Sequence, residues 1–233
     1  MGLPFTTTQW TLIYQASDDP SSTGAEAFGV LCQAYWPPLY AFTRGTGASH
    51  EDAQDLTQGF FTHLLEKALP NDLHPTKGRF RNWLLASLKN FLAKEHRHQT
   101  RQKRGGPDLQ TLTLDDAHHE LIDPEHPAQA YEREWARSVL ANALARLQSE
   151  SERAGQLDRF QVLQGALFDL NKGEGATEAQ AAALGISHNA AKVALSRLRQ
   201  RYRELVRLEV TRLVEDPAEV DEEIAHLIRV LSR

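Results

Sequence analysis

The sequence predicts an all-α protein: two small helical domains joined by an acidic linker, the second containing a helix-turn-helix. Three observations predict it. Apolar residues recur at spacings of three and four nearly throughout, with no sustained alternation that would mark a strand. Charge arrives in blocks of one sign. A capped short helix, a glycine and a basic amphipathic helix follow one another near the C-terminal end.

The first element is a short helix carrying Trp10, Ile13 and Tyr14. Leu31, Tyr35, Leu39 and Phe42 then mark a helix that Pro37 and Pro38 should kink or restart, because proline lacks the amide hydrogen. Ser49 with Asp52 three residues on predicts an N-cap for a helix through Leu56, Phe60, Phe61, Leu64 and Leu65. Residues 68–78 hold Pro70, Asn71, Asp72, Pro75 and Gly78 and predict a loop. A long helix follows, with Phe80, Trp83, Leu84, Leu88, Phe91 and Leu92 on its apolar side, closed by Gly105, Gly106 and Pro107. The first domain is therefore placed at 1–106 and an acidic linker at 107–132. Trp135, Val139, Leu140, Leu144 and Leu147, then Phe160, Leu163, Leu167 and Leu170, resume the helical pattern in a second domain at 133–207.

Within that domain Thr177 and Gln180 have capping-box spacing, and Gly185 suits the left-handed residue of a tight turn. Ser187 caps a helix that buries Ala191, Leu195, Leu198, Tyr202 and Leu205. Asn189, Lys192, Val193, Ser196, Arg197, Arg199 and Arg203 share the opposite face. Such a helix fits a DNA major groove, side chains at base edges and arginines on phosphates. An extension, 208–233, ends in a helix predicted by Asp216-Pro217 and the stripe Val220, Ile224, Leu227, Ile228 and Leu231. The expected burial site is the second domain's own helices, with Asp221, Glu222 and Glu223 outside.

The charge blocks bear on function. From Lys77 to Arg104 nine lysines and arginines face Glu95 alone, and from Ser187 to Arg207 six face Glu204 alone. Between them, Pro107 to Glu134 carries eight acids against Arg133. Two basic stretches separated by an acidic one predict two polyanion contacts, although the whole chain has a net charge of −5. The single cysteine, Cys32, excludes an intramolecular disulfide and suits a reducing, cytoplasmic setting. No apolar run approaches the roughly 20 residues that span a bilayer. His96 with His98, and His118 with His119, are the only close histidine pairs. Neither has the carboxylate spacing of a zinc site, and no phosphate loop or nucleophile elbow occurs, so enzymatic function gains no support.

Asp52-Ala53-Gln54-Asp55-Leu56-Thr57-Gln58 with Phe60-Phe61 and Leu64-Leu65 resembles the polymerase-binding helix of sigma factors. Trp83-Leu84-Leu85, Leu88-Lys89-Asn90-Phe91 resembles the promoter-opening helix of the same domain, and Leu184-Gly185-Ile186-Ser187 with the Lys192–Arg203 helix its second-domain DNA reader. The three occur in family order over about residues 28–104 and 133–207, without room for a third domain. On these motifs the chain is identified with the extracytoplasmic-function class of RNA polymerase sigma factors. The resemblance implies core RNA polymerase, through its largest subunits, and promoter DNA as partners. It implies no cofactor, no metal, no catalysed reaction and no membrane, and leaves open an anti-sigma factor or other regulator. By carry-over, Asp52, Gln54, Asp55 and Gln58 would bind polymerase. Lys77, Arg79, Trp83, Asn90, Lys94 and Arg97 would meet the upstream-ten element, with Asn90 at the base-reading position and residues 73–80 in the loop that cups a flipped base. Asn189, Lys192, Val193, Ser196, Arg197 and Arg199 would meet the upstream-thirty-five element, where apolar Val193 and small Ser196 shift recognition toward shape and thymine methyls. A stand-alone helix-turn-helix regulator is the alternative. It leaves the Asp52–Leu65 helix and the first basic block without a task.

Overall fold

The computed structural model describes residues 22–67, 79–104, 126–168, 175–214 and 216–232. The protein is all-α. The described residues form eight α-helices and a single 3-10 turn: α1 Ser22–Gly45, α2 His50–Lys67, α3 Phe80–Arg104, α4 Pro127–Arg153, α5 Leu157–Leu167, α6 Gly175–Leu184, α7 His188–Thr211, the turn Pro217–Glu219, and α8 Val220–Leu231. No helix among the described residues is long and apolar enough to cross a membrane. The expected helix at Trp10, the 68–78 loop and the acidic stretch up to Glu125 lie outside the described residues.

The chain divides into two compact units, one of residues 1–138 with 212–233, the other of residues 139–211. In the first, α1 packs on α2 and α2 on α3. Leu31, Tyr35, Leu39, Phe42, Phe60, Phe61, Leu64, Phe80, Leu84 and Leu88 are buried. Aromatic edges lock the helices together. The Tyr35 and Phe80 rings meet edge-on at 5.4 Å, Trp36 stacks on Phe61 at 5.8 Å, and Phe60 lies 5.7 Å from Phe91. Burial pushes the Tyr35 hydroxyl well above the ordinary tyrosine range and the half-buried Cys32 thiol up to about 11. Pro37 and Pro38 sit inside α1 without ending it. Of the two expected outcomes, a kink or a restart, the helix does not restart, and Pro38 and Leu39 are buried within it.

Two boundaries differ from expectation. The last residues assigned to the linker, Pro127 to Glu132, are the opening turns of α4, with proline near the first helical position and Tyr131 fully buried. The extension from Arg212 onward is part of the first unit, not of the second domain as expected. Helix α8 belongs to the first unit, and Glu223, expected in solvent, is fully buried there.

The second unit is built on α5, α6, α7 and the C-terminal part of α4. Ala143, Leu147, Phe160, Leu167 and Leu205 form one buried cluster, and Leu163, Ala166, Ala194 and Leu195 another. Leu198 packs against both, while Tyr202 donates its hydroxyl to the Leu140 carbonyl at 3.2 Å.

Candidate functional site

Three surfaces carry the residues singled out by sequence. On α2 the Ser49 hydroxyl accepts the Asp52 amide at 3.0 Å and donates to the Asp52 carboxylate at 2.7 Å, so Asp52 completes its own helix cap. Ala53, Thr57, Phe60, Phe61 and Leu64 point inward. The turns between them leave Asp52, Gln54, Asp55 and Gln58 exposed on the outer side. Asp55 and Gln58 continue into a shallow groove of about 550 Å³ lined by Gly59, Thr62, His63, Glu66, Phe91 and Glu95. Glu66 and Glu95 thus extend the acidic surface beyond the motif. The i,i+4 step from Thr62 to Glu66 was readable in sequence; Glu95, which comes from the basic helix α3, was not.

On α3, Phe80, Leu84 and Leu88 are buried, while Asn90, Lys94 and Arg97, at spacings of four and three, form an exposed stripe. Trp83 is half-buried and stacks on Phe80 at 5.5 Å. It is anchored in the helix bundle with only part of its ring available. Lys77 lies outside the described residues. Arg79, expected at the upstream-ten element, is half-buried, and its guanidinium lies 2.7 Å from the Glu223 carboxylate and 3.8 Å from that of Glu222, so its charge is paired with acids of α8. Arg81, also counted in the basic block, is buried; it pairs with Glu223, approaches Glu132 at 3.6 Å, and lies 4.1 Å over the Trp135 ring. Burial lowers the Arg81 pKa and Glu132 opposes that. The acids on α8 and α4 are too remote in sequence for spacing alone to pair them with these arginines.

In the second unit, α6 ends on a Schellman turn. Ile186 donates to the Ala181 carbonyl at 3.1 Å, Gly185 donates to Ala182 at 3.2 Å, and Gly185 has φ of 62°. The Ser187 hydroxyl accepts the Ala190 amide at 3.2 Å and starts α7. Helix α6 begins at Gly175, so Thr177 lies within it rather than at its cap, and the buried Gln180 Oε1 has no hydrogen-bond partner among the described residues. With Ala191, Ala194 and Leu195 inward, Asn189, Val193, Ser196 and Arg197 are exposed on one face and Lys192 is half-buried beside them. Val193 keeps 44% of its surface in water, an apolar side chain amid polar neighbours.

Arg199, expected at the upstream-thirty-five element, is half-buried and engaged within its own unit. Its guanidinium donates to the Ala166 carbonyl at 2.7 Å and the Leu167 carbonyl at 3.2 Å, closing the end of α5. Arg201 makes a two-pronged pair with Glu150 at 2.8 and 2.9 Å. Their hydrogen bonds hold the Glu150 carboxyl below the usual carboxylate range.

Comparison with protein-family models, curated proteins and solved structures finds no match. The functional reading therefore rests on the residues and on the family resemblance of the motifs.

Proposed function

We propose that the chain is an RNA polymerase sigma factor of the extracytoplasmic-function type, a cytoplasmic binding factor that catalyses no reaction itself. The observation that carries the reading is the coexistence of two unlike surfaces. A helix-turn-helix leaves Asn189, Val193, Ser196 and Arg197 clear of its core. A separate unit packs an acid-and-amide face on α2 beside a helix exposing Asn90, Lys94 and Arg97. A repressor needs the first surface alone. A factor that joins polymerase to promoter DNA needs both.

The chemistry supports each assignment. Asp52, Gln54, Asp55 and Gln58 offer carboxylate and amide acceptors to a basic docking helix on polymerase. The Asn90 amide is able to read a base edge while Lys94 and Arg97 hold the backbone of a displaced strand. Arg197 supplies charge to the distal element, Asn189 and Ser196 its hydrogen bonds, and Val193 an apolar contact for a thymine methyl.

The test is transcription by purified core polymerase, with and without this protein, on a genomic fragment library. The expected result is a set of transcripts that depends on the protein and disappears with Asp52→Lys and Asp55→Lys together. Tight DNA binding without polymerase association would favour the stand-alone regulator instead.

A further inference from the structure

The sequence motifs leave α8 outside the sigma architecture, yet the most buried charges of the first unit meet on it. Glu223 is fully buried, and both of its partners belong to the start of α3. Arg79 precedes the helix, and its carbonyl accepts the amides of Asn82 at 3.0 Å and Trp83 at 3.3 Å. Arg81 is the second residue of the helix, and the buried Tyr131 hydroxyl donates to its carbonyl at 3.0 Å. One carboxylate thus grips α3 by side chains on either side of its first residue. The Arg79 contact is close in charge but poorly aligned as a hydrogen bond, leaving Glu223 Oε2 without a directed donor. His226, one turn further along α8, meets the Glu132 carboxylate at 2.8 Å and the Trp135 ring at 6.0 Å. Val220 and Leu227 are buried beside these polar contacts.

The consequence reaches along α3. Nine residues separate Arg81 from Asn90, and at about 100° per residue the two side chains leave opposite sides of the helix. Fixing Arg81 inward fixes the direction of the stripe Asn90, Lys94 and Arg97. We propose that Glu223 is a positioning residue for strand opening: from the C-terminal helix it sets the rotation and starting point of α3, and so aims Asn90 at the displaced strand. This rests on the sigma-factor reading. It makes α8 a working part of the upstream-ten module rather than an appendage.

The experiment uses the full chain, core polymerase and a promoter recovered from the fragment library. Glu223→Gln keeps the size of the side chain and removes its charge. The measurements are melting, core binding, and transcription from duplex and from a pre-opened bubble template. The expected result is core binding within about twofold of wild type, duplex transcription down by about tenfold, the middle of the range for substitutions acting through a packed network, and recovery on the bubble. Equal loss on both templates overturns the proposal, as does unchanged duplex activity. A gain on duplex overturns it too, because Glu222 and Glu223 would then be screening Arg79 from DNA. If Glu223→Gln fails to fold, Glu223→Asp withdraws the charge by one methylene, and a smaller loss with the same template dependence is expected. Wild-type protein that yields no polymerase-dependent transcript overturns the sigma reading itself; an active wild type with a template-indifferent variant overturns this role alone.

Discussion

Arg79 and Arg81 in the first unit and Arg199 and Arg201 in the second are pairs of arginines two residues apart in two basic stretches, but their partners differ in kind. The first pair closes on Glu223 and Glu132, with Arg81 and Glu223 removed from water. The second pair stays at the edge of its unit, Arg199 on two helix-end carbonyls and Arg201 on a carboxylate that retains a quarter of its exposure. What separates them is desolvation. A buried pair deprived of one member leaves a bare charge in a low-dielectric setting, whereas a surface pair gives its groups back to water. Four arginines that look alike as positive charge should therefore answer substitution very differently.

The largest effect is expected at Arg81. Arg81→Ala leaves Glu223 buried with Arg79 alone and opens space beside Trp135. The first unit should be destabilised by about 3–5 kcal/mol, the range for breaking a buried ion pair. Replacing Arg81 by Met and Glu223 by Leu together should recover most of it, because no fully buried charge is then stranded and Arg79 keeps a quarter of its surface in water. Denaturant unfolding of wild type and the two variants checks this, and a double variant no more stable than Arg81→Ala would break the contrast between the units.

Arg199→Ala comes next. It removes charged hydrogen bonds to the Ala166 and Leu167 carbonyls, and a destabilisation of about 1.5–3 kcal/mol in the second unit is expected. Arg199→Lys should not restore it, since one ammonium does not reproduce a two-nitrogen fork.

Glu150 should matter less and depend on pH. Its folded-state pKa is depressed, first by the hydrogen bonds from Arg201, so it favours the folded state when ionised. That contribution is complete above the unfolded glutamate value of about 4.3 and is lost as pH falls through the folded value. Both side chains are partly exposed, which holds it to about 0.5–1 kcal/mol. Unfolding midpoints of wild type and Glu150→Gln, followed from about pH 6 to pH 3, should differ at the upper end and converge at the lower.

The difference between units also explains what sequence could and could not convey. The turn at Gly185, the cap at Ser187 and the inward face of α7 follow from local spacing, and the left-handed glycine is where a helix-stop signal places it. The Ser49–Asp52 cap is equally local. The pairing of Arg79 and Arg81 was not legible because their partners lie far along the chain, 142 positions for Arg81 and Glu223, and a charge count carries no information about pairing at that range. Pro37 and Pro38 gave a local signal that left a kink and a restart open, and the helix runs on through both, with Leu39 buried. Of the apolar stripe of α8, Val220 and Leu227 are buried while Ile228 and Leu231 stay exposed. The stripe did not say which unit would bury it.

The smallest stability effect should mark the largest functional one. Among the exposed cations of the two basic blocks, Lys94 and Arg97 on α3 and Arg197 on α7 are ones proposed to meet DNA. Exposed side chains away from caps and cores change stability by within about 0.5 kcal/mol when substituted. Arg97 does donate to the carbonyl of Ala93, four residues earlier on α3, at 3.1 Å, but this bond lies at the surface, where water substitutes for it. Alanine at each of the three positions should therefore leave melting nearly unchanged. If they sit on phosphates, each substitution should reduce the salt dependence of promoter binding by about one counterion for every phosphate no longer neutralised. Arg199→Ala provides the contrast within α7: its stability should fall while the salt slope of correctly folded protein stays near wild type. Measuring melting and salt slope on Arg197→Ala and Arg199→Ala separates a cation that serves DNA from one that serves the fold. Matching behaviour of the two variants would show that exposure in the free protein does not select the DNA-facing arginines, and α7 would then have to reorganise its side chains on binding.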